Sequence, residues 1–155
     1  MKRQTIRNIH VGAAVLATLG IATFWLSTIT AELFMSHDSI ATVKMLICCA
    51  MFIFIPTMAI TGATGMKMGA KSPHPNIVRK RKRMPIIALN GLLVLLPCAI
   101  YLNHLASAGQ FTTTFYVVQI IEIIAGATNL TMMILSMRDG ITLHRRPKKR
   151  KPAMA

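Results

Sequence analysis

The sequence predicts an all-α fold: a four-helix transmembrane bundle running up-down-up-down. Three observations carry that expectation. Apolar residues make up 54% of the chain and charged residues only 14%, against roughly 45–50% and about 25% in soluble domains. The apolar residues fall in four long stretches, at about residues 11–30, 45–65, 85–103 and 115–137. The net charge is nevertheless +14, because 18 basic residues face four acids, and the bases sit in blocks between the stretches. A soluble enzyme, a disordered tail protein and a disulfide-rich secreted domain all fit this arithmetic poorly. A nucleic-acid partner does not fit it either, since no aromatic residues interleave the basic blocks and no nucleic-acid-binding module is present.

Each stretch approaches or exceeds the ~20 residues needed to cross a ~30 Å hydrocarbon core. A backbone in hydrocarbon must satisfy its own N–H and C=O groups, so each stretch should be a helix. Residues 1–144 then form a single four-span membrane domain. Residues 145–155, basic and punctuated by proline, read as a disordered tail.

The first stretch follows Lys2, Arg3 and Arg7 and has a cleavage-like Ile29-Thr30-Ala31 at its end. Its length exceeds the 7–15 residues of a signal-peptide apolar region, so it reads as an anchor. His10, Ala13, Ala17, Gly20, Phe24, Ser27 and Ala31 share one of its faces, and Cys48, Met51, Ile55, Met58, Gly62 and Gly65 share one on the second. Residues 31–44 read as the connection between them. Residues 69–84, with Pro73, Pro75 and the run Arg79-Lys80-Arg81-Lys82-Arg83, read as a loop. On the third stretch Asn90, Pro97, Tyr101 and His104 share a face. After a connection at residues 104–114, Gln119, Glu122, Gly126, Asn129, Met133 and Ser136 recur on the fourth at steps of three and four, a polar and small-residue face suited to a bundle interior.

Seventeen of the eighteen bases fall on one side of a four-span arrangement, with Lys44 alone on the other. The positive-inside rule therefore places both termini and the middle segment in the cytoplasm of a multi-pass protein of a bacterial inner membrane. Basic clusters beside membrane helices attract anionic lipids of the cytoplasmic leaflet.

Glu122 is the single formal charge inside a stretch, and an intramembrane carboxylate faces the bundle with a partner or a function. The structural reading pairs it with Lys44, or bonds it, protonated, to Gln119 or Tyr101. The functional reading makes it a proton-carrying or ligand-binding acid. The histidines offer a second chemistry, since b-type haem takes axial His or Met ligands from inward faces. His10 is one candidate, with Met66, Met68, Met84 or His74 opposite. His104 is another, with His37 or Met45 opposite. His37 and His104, with Glu32 and Asp38, could instead hold Zn or Cu. Each of these histidines also has an ordinary reading as an interfacial or capping residue, and His144 lies in the basic tail. Cys48, Cys49 and Cys98 form no motif, and the 12 methionines read as gap fillers. No G-x-S-x-G, H-E-x-x-H, P-loop or G-x-G-x-x-G occurs.

The stretch from His74 to Gly140, with HPNIVRKRKRM, ALNGLLVLLP and FYVVQIIEIIAGATNLTMMILSMRDG, resembles a pattern in small four-helix bacterial inner-membrane proteins, a family to which no activity is attached. The Ile9-His10 opening of the first stretch is similar, more weakly, to the start of the CopD copper-resistance domain and of HemJ-type protoporphyrinogen oxidases. That second resemblance implies haem, with His10 as the matching ligand. The residues thus leave three functions open: a non-catalytic accessory or assembly subunit packing on a protein partner or a second copy, a b-type haem protein using His10 and His104, and a proton-coupled transporter using Glu122.

Overall fold

The computed structural model describes residues 3–69 and 73–145, with side chains as far as residue 142. It is all-helical. Helix α1 (Arg3–Phe34) is followed by α2 (His37–Gly69), α3 (Pro75–Asn90), a π-helical turn (Gly91–Leu95), α4 (Leu96–Ser107) and α5 (Thr113–Arg145). Helix α3, the π turn and α4 form one continuous rod, so four helices are long and apolar enough to cross a membrane. At 1.5 Å per residue, rods of 30–33 residues reach about 45–50 Å, well beyond a ~30 Å core.

The helices overrun the apolar stretches because their ends are well capped. Only residues 35 and 36 separate α1 from α2. Ser36 starts α2, with its Oγ accepting from the Ser39 N–H at 3.4 Å. The broad connection expected at residues 31–44 is therefore helical almost throughout, and Lys44 lies two turns inside α2. The loop expected at residues 69–84 is likewise mostly helix. His74 caps α3, with Nδ1 accepting from the Asn76 N–H at 3.3 Å, and Pro75 occupies the first turn, where its fixed φ and missing N–H do no harm. Between α4 and α5, Gly109 adopts φ +67°, and the Gln110 N–H returns to the Leu105 carbonyl at 2.9 Å. This is a Schellman ending, which favours glycine at the left-handed position. The tail expected from residue 145 lies, past Arg145, outside the described residues.

The third stretch departs from its expected face. Asn90 points inward, but Tyr101 and His104 are exposed, as is Pro97, while Ala99, Leu102, Leu105 and Ala106 are buried. The cause is the π turn, in which the Leu96 N–H bonds the Gly91 carbonyl five residues back. One extra residue in a turn rotates everything after it by about 100°. Pro97 supplies a reason for the wider turn, because its ring crowds the carbonyl four residues earlier.

Packing follows the small-residue faces. Ala17 and Ala31 of α1 are buried, and Gly20 lets Phe54 approach so closely that a Cβ there would lie 3.0 Å from its ring. Phe24 and Phe54 meet edge to face at 5.3 Å. On α5, Gln119, Asn129, Met133 and Ser136 are buried, while Ile120, Ile124 and Ile134 face outward. Gly126 accommodates Trp25, whose Cδ1 would sit 2.9 Å from a Cβ at that position. The indole Nε1 donates to the Ile123 carbonyl at 3.0 Å. Gly126→Leu is expected to displace Trp25 and to cost about 1–3 kcal/mol. The check is a lowered thermal midpoint in detergent with a red-shifted Trp25 emission, and Gly126→Ala should show a smaller change of the same sign.

Candidate functional site

Polar side chains gather in three layers, and an apolar groove runs past them. The first layer joins α1, α2 and α5. Lys44 Nζ lies 2.5 Å from Glu122 Oε2, and Gln119 Nε2 donates to the same oxygen at 3.1 Å. Lys44 is 2% exposed and Glu122 12%. Glu32 interacts electrostatically with Lys44, Glu122 and His37. Buried acceptor oxygens on Glu32, Asn103 and Gln119 have no hydrogen-bond donor among the described residues. Tyr101 is 44% exposed and is not bonded to Glu122.

The second layer ties α3 to α5. Asn90 Nδ2 donates to Asn129 Oδ1 and to the Ala125 carbonyl, both at 2.9 Å. Asn129 Nδ2 donates to the Ile87 carbonyl at 3.3 Å. Each amide thus completes a carbonyl or amide on the facing helix, and Asn129 is 1% exposed.

The third layer surrounds His10. Its Nε2 lies 3.0 Å from Lys80 Nζ, and an ammonium can only donate. Nε2 is therefore the acceptor, and Nδ1 carries the proton it donates to the Thr61 carbonyl at 3.1 Å, with Thr64 Oγ1 also at 3.1 Å. Gly65 admits this arrangement, since a Cβ there would fall 3.0 Å from His10 Cε1 and 2.7 Å from Met84 Cε. Nearby, Arg83 Nη1 bonds Asp139 Oδ2 at 2.7 Å, and Asn76 Nδ2 donates to Thr142 Oγ1 at 3.1 Å.

The groove has a volume of about 370 Å³, within the ~300–1,000 Å³ range of ligand pockets. Met51, Ile55, Met58 and Gly62 of α2 form one wall, and Gly91, Leu92 and Leu95 of the π turn form the other. Trp25 and Ile123 line its floor, with Glu122 and Asn129 at its polar edges. Four of the six residues expected to share a face on the second stretch line this wall, while Cys48 meets the Ala99 carbonyl and Gly65 packs under Met84 and His10.

Of the candidate haem ligands, His10 has both ring nitrogens engaged within the protein and does not line the groove. Among its suggested partners, Met84 is brought to it, while His74 caps α3. As arranged, these residues do not present an axial nitrogen to a porphyrin. His104 is exposed at the end of α4. His37 stacks on Phe111 with ring centroids 4.0 Å apart. Among the described residues, no three His, Cys, Asp or Glu side chains come close enough to hold a metal ion. The three cysteines are free, and the His144 side chain lies outside the described residues. Sequence reasoning missed Trp25 and the Lys80–His10 contact. Trp25 carried a signal, because a donor-only indole in hydrocarbon must find an acceptor on a neighbouring helix.

No family model, curated protein or solved structure matches the chain.

The ion pair predicts its own mutational pattern. Removing one member leaves the other buried and uncompensated, so Glu122→Leu or Lys44→Met alone should each cost about 3–5 kcal/mol. The double variant Lys44→Met/Glu122→Leu should unfold at a higher temperature than either single one. Additive losses in a double-mutant cycle would show that the two side chains act independently.

Proposed function

We propose that this chain is a non-catalytic multi-pass protein of the bacterial inner membrane, an accessory or assembly subunit that packs on a protein partner or a second copy. Its helices run up-down-up-down, with both termini and residues 66–84 in the cytoplasm. The observation that carries this reading is the closure of Glu122. The one carboxylate inside an apolar stretch is held by Lys44 and Gln119, which favours a fixed strut between α2 and α5 over a proton shuttle. His10 is committed in the same way. The exposed faces, rich in residues such as Leu19, Phe52, Ile53 and Leu93, suit lipid and other membrane helices.

The orientation is supported by charge. The end that gathers His10, Lys80 and Arg83 carries the basic blocks, and Asp139 is its one acid. In spheroplasts, a cysteine introduced as Gln110→Cys should react with a membrane-impermeant thiol reagent, and one introduced as Ala155→Cys should react only after lysis. The reverse pattern overturns the orientation.

The subunit role predicts that the 17.0 kDa chain, extracted in mild detergent, runs with a second copy or a stoichiometric partner by native mass spectrometry. It also predicts no proton flux above that of empty liposomes after reconstitution. A flux abolished by Glu122→Gln in a folded protein would establish the carrier instead. A reduced-minus-oxidised b-type band at about one haem per chain, lost in His10→Ala, would establish the haem protein.

A further inference from the structure

We propose that the groove between α2 and the α3–α4 rod holds one acyl chain of an anionic phospholipid, whose phosphate rests on Lys67 and Lys80. The proposal rests on the reading of the chain as a membrane-spanning bundle, and it adds a lipid site to that reading.

Shape is the first argument. From Ile47 to Met66 the α2 wall runs about 28 Å at 1.5 Å per residue, most of a ~30 Å core. The groove opens sideways, because its rims at Ile55, Leu92 and Met66 are 42%, 60% and 60% exposed. A Cβ at Gly62 meets nothing within 4 Å, so that wall faces open space. About 370 Å³ is far too little for a helix of that length, which is ~10–12 Å across. A single flexible chain fits such a slot.

Charge is the second argument, and it selects the headgroup. The groove ends at Met66, next to the exposed Lys67. One residue earlier, Gly65 is packed under Met84 and His10, and His10 holds Lys80 at 3.0 Å. The His10 nitrogen is a neutral acceptor and does not balance the Lys80 charge. The ion pairs among the described residues are Lys44–Glu122 and Arg83–Asp139, so Lys67 has no carboxylate partner there and Lys80 shares the Asp139 carboxylate with Arg83. An apolar molecule without a headgroup would leave both charges unused, and a zwitterionic headgroup would offset its phosphate with its own cation. An anionic phospholipid uses the groove and both lysines.

Trp25 is the single tryptophan of the chain and lies in the groove, so its fluorescence reports occupancy. Full-length protein is reconstituted in phosphatidylcholine vesicles containing a small fraction of phosphatidylglycerol or phosphatidylcholine with brominated acyl chains. Brominated phosphatidylglycerol should quench Trp25 about thirtyfold more effectively per lipid, as two favourable lysine contacts imply. Gly62→Leu, which fills the groove, should remove that excess, and Ala59→Leu on the same wall should do the same. Gly12→Leu adds equal bulk where a Cβ also meets nothing and should leave the excess intact. Lys67→Gln/Lys80→Gln should reduce phosphatidylglycerol quenching to the phosphatidylcholine level. Helical content and thermal midpoint identify variants that are folded.

Equal quenching by the two lipids overturns the proposal. So does an excess that survives both groove-filling variants, which would mean that lipid is drawn to the basic end without entering the groove. Both leaflets contain both lipids, so the result does not depend on orientation. Native mass and proton flux test the subunit role separately.

Discussion

Hydrocarbon offers no hydrogen-bond partner, and most of this structure follows from that constraint. It makes the four apolar stretches helices, and it penalises any polar side chain within them that lacks a partner; most find one on another helix or in their own backbone, while Gln119 Oε1 and Ser136 Oγ have none among the described residues. Thr18, Thr57, Thr128 and Thr131 return their hydroxyls to carbonyls one turn back. Trp25, Asn90 and Asn129 reach across to a facing helix. Lys44 and Glu122 present the sharpest case. A buried ion pair often adds little net stability over apolar residues of the same size. Its larger effect is on alternatives: any sliding or rotation of α2 against α5 separates two buried charges. The pair therefore reaches across the bundle and fixes the relative height of α2 and α5, whose backbones do not approach each other. The asparagine contacts, at about 0.6 kcal/mol for an average polar contact between membrane helices, refine the fit of α3 on α5.

What could be read from the residues divides along the same line. Span number and approximate limits depend on hydropathy summed over some twenty residues, which no single side chain upsets. The inward face of α5 was legible because Gln119, Glu122, Gly126, Asn129, Met133 and Ser136 keep helical phase along an uninterrupted helix. The third span was not, because its phase changes at the π turn and no composition signal marks the extra residue. Pro97 was visible, but a proline can end, kink or widen a helix, and packing decides which. Helix ends were also underestimated. Hydropathy stops where apolar residues stop, whereas Ser36 and His74 start helices that are polar at first. The Lys44–Glu122 contact could be anticipated because few partners exist for a buried acid. The Lys80–His10 contact could not, since it depends on residues 75–84 being helix rather than loop.

The π turn also shapes the groove. Below it, Ile87 and Asn90 bring α3 onto α5; above it, Leu102, Leu105 and Ala106 bring α4 into a core with Ala31, Ile40 and Phe115. The rod thus changes which of its sides faces the bundle midway through the membrane. Gly91, Leu92 and Leu95, at the change, stand opposite a stretch of α2 whose side chains are flexible or absent, namely Met51, Met58 and Gly62. Neither helix fills the space between them. Methionine adapts to irregular surroundings at little cost, so this wall can follow the shape of whatever chain lies against it. A stripe that reads as close-packing residues in the sequence is here the side of a cavity.

The extension of the helices past the apolar stretches gives the basic residues fixed positions. Residues 3–10, 75–84 and 138–145 add two to three turns at the end where His10, Lys80, Arg83 and Asp139 meet. On a loop, the run at Arg79 to Arg83 would sample many positions and act mainly as a diffuse field, sufficient to orient the chain. On a helix, Lys80 and Arg83 project in set directions, Arg83 to Asp139 on α5 and Lys80 to His10 on α1. The first contact neutralises its base and the second does not, because imidazole accepts a hydrogen bond without carrying a negative charge. The bundle therefore holds Lys80 in place beside the end of an apolar groove, where it shares the Asp139 carboxylate with Arg83. Two bases sharing one acid in a part-buried position leave a positive charge whose desolvation is only partly offset, and such a charge is best tolerated where the membrane itself supplies phosphate.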